Sequence, residues 1–192
     1  MPDQEPATSD LRILAISGSL RAVSSNTALL HAAALLAPPG VEVSIYAGLG
    51  DLPHFNPDLE GSEPPAVIDF LARVRAAGGL LISSPEYAHG VPGAMKNALD
   101  WLVSDEEFMG KPVALFNASP YATYAQASLL ETLTVMSARV VAAAAIAVPV
   151  SGKKLDAAGI VAHPEISSAV RGALEAFVQA IESRDDSAAQ GM

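Results

Sequence analysis

The chain has 192 residues, 51% of them hydrophobic and only 17% charged, which excludes a disordered protein and suits one core-rich domain. With 21 acidic against 11 basic residues the formal charge is −10, which disfavours non-specific nucleic-acid binding. There is no cysteine, so disulfides, thiolate chemistry and sulfur-based zinc sites are excluded. The four histidines, at 31, 54, 89 and 163, have no short metal-ligand spacing, and no metal is expected.

Residues 1–10 are acidic and polar, without the apolar stretch of a signal peptide, and are expected to form a disordered tail. Leu11 to Ile16 reads as a compact apolar strand, Ser17 to Ser25 as a Gly/Ser turn, and Asn26 to Leu36 as a helix stopped by Pro38, Pro39 and Gly40. Val41 to Tyr46 is β-branched and alternating, hence a second strand, and Gly48 to Pro64 is a loop. Val67, Phe70, Leu71 and Val74 fall at i, i+3, i+4 and i+7, one apolar helical stripe. Gly79 to Ile82 is a third, buried strand.

A helix opening at Pro92 repeats the helical spacing at Met95, Ala98, Leu99 and Leu102, proline being suited to a first helical position. Pro112 to Asn117 is the fourth strand, and Leu129, Leu133 and Met136 mark the fourth helix. Val140 to Val148 contains four consecutive alanines but is read as a fifth strand from the alternation of the whole chain. Val170, Leu174, Phe177, Val178 and Ile181 define a last amphipathic helix, with a frayed tail expected over 184–192. No run is long and charge-free enough to span a membrane. Residues 11–183 thus read as one domain, expected in the cytoplasm. Its alternating strands and helices imply an α/β sandwich with a five-stranded parallel sheet, order 2-1-3-4-5.

In such a sheet ligands bind beyond the carboxyl ends of the strands, at the switch point between the first and third. Two segments follow those strands. The first, Gly18-Ser19-Leu20-Arg21-Ala22-Val23-Ser24-Ser25-Asn26-Thr27, offers hydroxyls, an amide and one guanidinium beside a helix N-terminus, as a phosphate cradle needs. A plain N-cap at Ser24 or Ser25 with a solvated Arg21 is equally consistent with these residues alone. It is neither a Walker A loop nor a three-glycine dinucleotide fingerprint. The second, Pro85-Glu86-Tyr87-Ala88-His89-Gly90, carries a carboxylate, a phenol and an imidazole, and runs into Val91-Pro92-Gly93-Ala94-Met95-Lys96-Asn97-Ala98-Leu99-Asp100-Trp101-Leu102.

Both segments, in this order, resemble the signatures of the NAD(P)H-dependent FMN reductase family, which are flavodoxin-like flavoproteins. The resemblance runs from Leu11 to about Val148. It implies that Ser19, Arg21, Ser24, Asn26 and Thr27 hold the FMN phosphate. Likewise it implies that Pro85, Glu86, Tyr87, Ala88, His89 and Gly90 line the flavin ring. Ala88 stands where the family most often has Asn, so a backbone contact is what remains there. A third match, Asn117-Ala118-Ser119-Pro120-Tyr121, implies that Ser119 approaches the ring, although Tyr121 and Ala122 replace the family's glycines. The loop Asp51 to Asp58 also resembles the family, and reads equally well as a Pro-rich surface loop.

By the same resemblance the chain would take hydride from NADPH or NADH onto FMN. It would pass electrons to a small acceptor: a flavin, a quinone, an azo compound or an oxidised metal ion. It would act as a homodimer or dimer of dimers. A flavodoxin-like electron carrier or flavin-binding regulatory module is the alternative. No catalytic side chain is nominated, because the cofactor carries the chemistry. His89 is read as a rim residue, Glu86 as a brace accepting backbone N–H bonds, and Lys96 with Asp100 as a surface pair. Trp101 is read as packing, with burial against a second subunit as the alternative.

Overall fold

Successive residues of the first strand, β1 (Leu11–Ser17), point to opposite faces of a parallel sheet and feed two separate cores. Ile13 and Ala15 pack with one core, Leu14 and Ile16 with the other. The same division recurs in β3 (Gly79–Ser83), where Leu81 faces the first core and Leu80 and Ile82 the second. It recurs again in β4 (Pro112–Asn117), with Ala114 and Phe116 against Val113 and Leu115. Strands covered on both faces have no polar side to show, which is why these three read as apolar runs.

The structure, a computed structural model, describes residues 11–190, with side chains described as far as residue 183. The tail expected over residues 1–10 lies outside the described residues, as do residues 191 and 192, whereas residues 184–190, expected as part of a frayed tail, continue the last helix. The strand order is β2-β1-β3-β4-β5, all parallel, with β2 at Val41–Tyr46. This is the flavodoxin-like order expected from the sequence. Helices α1 (Ser25–Leu35), α5 (Ala157–Ala162) and α6 (Pro164–Gln190) belong to one layer, α2 (Pro65–Ala76), α3 (Gly93–Asp100) and α4 (Thr123–Val135) to the other. Gly79 permits the close approach of α6: a Cβ there would meet Phe177 and Ile181 side-chain atoms at 2.8 Å.

The fifth ladder position differs from the expected single strand. It is filled by two short strands, β5 (Arg139–Val140) and β6 (Ile146–Ala147), each parallel to β4 and separated by a 3-10 turn over Ala142–Ala144. Alanine has little side chain to pack on a pleated surface, whereas Ala144 is small enough to be fully buried in the α6-side core. The short helix α5 was not expected; a six-residue Ala-Gly-rich segment carries no usable period. Asp156 caps it, its Oδ1 accepting from Gly159 N at 2.8 Å. Proline 92 is the N-cap of α3 and Gly93 its first residue, one position from the expected start.

The helix α3 also anchors the loop before α2. Asn97 Oδ1 accepts from Phe55 N at 2.8 Å, Asn97 Nδ2 donates to Pro53 O at 3.0 Å, and Trp101 Nε1 donates to the same carbonyl at 2.9 Å. Residues four apart share a helix face, so the Asn-Ala-Leu-Asp-Trp spacing makes a clamp for residues 53–55. The Trp101 ring meets Phe55 edge-on with centroids 5.0 Å apart, and the residue is only 3% exposed. Its side chain is therefore core of its own chain, which removes the alternative of burial against a second subunit. Lys96 and Asp100 form an exposed i, i+4 pair on the same helix, as expected.

Candidate functional site

The carboxyl ends of β1, β3 and β4 open into a cleft of about 370 Å³, within the range of small-molecule sites. One end is built from the β1–α1 loop: Ser19, Arg21, Ser24, Ser25 and Asn26. The other is built from Pro85, Glu86 and Tyr87 after β3, with Asn117 to Ser119, Tyr121 and Ala122 after β4. Ser151, beyond β6, completes the wall. Arg21 is the one cation and Glu86 the one carboxylate among the described residues lining it.

The β1–α1 loop is fixed from both sides. Gly18 N donates to Ser83 O at 2.9 Å, and a Cβ on Gly18 would fall 2.3 Å from Ser84 Oγ, so only glycine fits there. Ser24 is the N-cap of α1, its Oγ accepting from Thr27 N at 3.3 Å. The first-turn N–H groups of α1 and the positive end of its dipole therefore lie at this end of the cleft. Asn26 is buried and spends its carbonyl on Ser83 Oγ at 2.9 Å, which leaves its NH2 group as the available donor. Arg21 is exposed, and its backbone N reaches Ser19 Oγ at 3.4 Å.

Thr27 is different. Its Oγ1 is 2.8 Å from Ser17 Oγ, tying α1 to the end of β1, and it lines a neighbouring cleft instead of this one. Expected as a phosphate donor, it has a hydroxyl already engaged within the scaffold.

The β3–α3 turn has an unusual backbone. Tyr87 N donates to Gly90 O at 3.1 Å and Gly90 N to Tyr87 O at 3.0 Å, while Ala88 and His89 have φ of 50° and 60°. Two central residues with positive φ define a type I′ turn, which normally takes Asn-Gly. Here an alanine and a histidine occupy it, at a cost of about 1–2 kcal/mol for each L-residue in this region. Two contacts from α4 hold the turn. The His89 ring stacks on Tyr124 at 4.1 Å and 16°, and Glu86 Oε2 accepts from Ala125 N at 2.9 Å.

Pro85, Glu86 and Tyr87 thus reach the cleft, with Tyr87 half-exposed, whereas Ala88, His89 and Gly90 stand outside its lining. Glu86 does accept a backbone N–H, but from α4 and not from its own turn. Ser119 is in place, its N donating to Asn117 Oδ1 at 3.0 Å, and Asn117 Nδ2 donates in turn to Ala122 O at 3.0 Å. Buried Asn117 shapes this third wall, and Ser151 joins it. The sequence signal for both was their place at strand exits, where α/β ligands gather. Loop residues 51–58 take no part in the lining.

A profile described as NADPH-dependent FMN reductase matches residues 11–153. The chain belongs to this family. An NAD(P)H-dependent FMN reductase of Pseudomonas aeruginosa is 42% identical over 113 residues, covering 57% of this chain and 60% of the relative. A quinone reductase of Escherichia coli is 36% identical over 113 residues with the same shares. The chain thus spans about 60% of the length of these curated relatives. FerB, a flavoenzyme NAD(P)H:(acceptor) oxidoreductase of Paracoccus denitrificans, superposes with a TM-score of 0.79 at 30% identity. That match covers 90% of this chain and 98% of the other. FMN and NAD(P)H are the cofactors of the FMN reductase family. Among the described residues no helix is long and apolar enough to cross a membrane.

Proposed function

We propose that this protein is an FMN-dependent oxidoreductase that draws electrons from NADPH or NADH and delivers them to a small acceptor. The observation that carries the reading is the asymmetry of the cleft. Its β1–α1 end gathers Ser19, Ser24, Ser25, Asn26 and Arg21 around a helix N-terminus, the donor set a phosphate dianion requires. Its other end offers the rings of Pro85 and Tyr87 and two strand-exit loops, suited to an amphipathic ring.

In this reading Arg21 and the serine hydroxyls hold the phosphate, while Tyr87 and Pro85 wall one side of the ring. Backbone groups of residues 85–87 and 117–119 meet its polar edge. When bound, FMN would supply hydride acceptance from the nicotinamide and onward electron transfer. The protein's own part is to orient the ring and leave one side open, so no side chain is assigned a proton. Quinones, free flavins, azo compounds and oxidised metal ions are the acceptor classes to test. A homodimer or dimer of dimers in the cytoplasm is part of the proposal, and exposed apolar side chains on α4, Leu130 and Val135, support self-association.

The test is stopped-flow mixing of the FMN-loaded protein with NADPH and with NADH, followed by each acceptor. Rapid bleaching and acceptor-driven recovery support the enzyme. Slow bleaching with intact FMN binding would favour the electron-carrier reading instead.

A further inference from the structure

A second cleft, of about 580 Å³, opens on the far side of the β1–α1 loop. It shares Arg21, Ser24 and Ser25 with the first cleft and no residue from that cleft's opposite end. Its walls are more apolar, contributed by Val23, Ala28 and Leu155, and it carries His31 and Lys154 besides Arg21. Val23 is 83% exposed, an apolar side chain left uncovered on the wall of this cleft. Lys154 sits at φ 51°, a left-handed backbone that lysine seldom adopts. The lone carboxylate in the lining, Asp156, is occupied in capping α5. Within a chain of net charge −10, a pocket whose two cations, Arg21 and Lys154, outnumber its one carboxylate is a local reversal of sign.

We propose that this cleft receives the adenylyl half of a flavin dinucleotide, so that the protein binds FAD as well as FMN. The inference rests on the reading of the first cleft as the flavin site. A ligand that leaves that site through its phosphate must pass Arg21, Ser24 and Ser25, the residues common to both clefts. The second phosphate then lies within the field of Arg21 and Lys154, as a charge-assisted contact requires. The purine, flat and weakly polar, covers Val23, Ala28 and Leu155. Adenosine of a nicotinamide dinucleotide is the other source of the same chemistry. It is disfavoured because that ligand must start from the ring end, which the second cleft does not touch.

The test uses the full-length apo-protein, titrated calorimetrically with FMN and FAD, and the FMN-loaded protein titrated with NADPH. The variant is His31→Ala with Lys154→Ala, two exposed side chains whose loss leaves both cores intact, as circular dichroism would verify. FAD is expected to bind the parent within about tenfold of FMN. In the variant FAD should weaken tenfold or more, with FMN moving less than threefold. Equal changes for FMN and FAD, no change for either, or FMN binding without FAD binding would each overturn the assignment while leaving the flavin site standing. A loss confined to NADPH would overturn it too, by giving the cleft to the nicotinamide nucleotide. Binding of neither flavin to the folded parent would remove the flavin reading itself, and this inference with it.

Discussion

Glu86 ties two walls of the cleft together, and its removal should be felt as a missing helix cap. Helix α4 begins after Ala122, which has no side chain able to cap it. Its third amide, Ala125 N, donates instead to Glu86 Oε2 at 2.9 Å, across 39 positions of sequence. A capping side chain is worth about 1 kcal/mol, a negative charge near a helix N-terminus adds about 0.3–1, and hydrogen bonds to charged groups reach about 1.5–3. Glu86 is partly exposed, which discounts the electrostatic share. Glu86→Ala should therefore cost about 1.5–2.5 kcal/mol of unfolding free energy. Glu86→Gln keeps an acceptor without the charge and should cost about 0.5–1 kcal/mol. Urea unfolding of the apo-proteins, with unchanged m-values, measures both. An alanine variant within about 0.5 kcal/mol of the parent, the ordinary range for inconsequential surface changes, would refute the brace.

Arg21→Ala should weaken FMN by about 1–2 kcal/mol, a charge-assisted bond discounted for an exposed guanidinium, while riboflavin affinity barely moves; parallel calorimetric titrations decide it. His89→Ala should slow flavin reduction by NADPH less than about tenfold, or under roughly 1.4 kcal/mol, because the ring stacks on Tyr124 outside the cleft lining. The same step should be nearly flat in rate between about pH 6 and 8, where free imidazoles titrate, and a bell-shaped profile lost in the variant would make His89 a proton carrier. Trp101→Lys should destabilise the monomer by about 3–5 kcal/mol, as large losses from aromatic core positions do. A folded, equally stable variant in urea unfolding would contradict the clamp on residues 53–55.

Strands β1, β3 and β4 were legible because burial on both faces leaves a plain apolar run, β2 because its side chains alternate, and α2 because one face is wet and the other dry. What escaped was alanine-rich. Around 142–145 and 157–162 the side chains are too uniform to carry a period, and packing, against α6 for the first and against α1 and α6 for the second, decides whether the chain extends or turns. At the site, residue type predicted a place in the cleft lining where the side chain had no local competitor, as with Arg21. Thr27 and His89 have the right chemistry, but Ser17 and Tyr124 stand within contact distance and engage them first. Asn117 and Ser151 enter the lining through the convergence of strand exits.

The broken fifth position has a consequence for how copies of this chain can meet. A sheet edge displays unpaired N–H and C=O groups and invites another strand to dock. On this side the edge consists of two pieces of two residues each, β5 and β6, with the intervening alanines folded away into a 3-10 turn. Neither piece is long enough to template a neighbour. Lateral growth of the sheet into a ribbon or fibre is blunted here, and self-association is steered towards helix surfaces. The alanines that obscured the strand in the sequence thus act as a guard against aggregation.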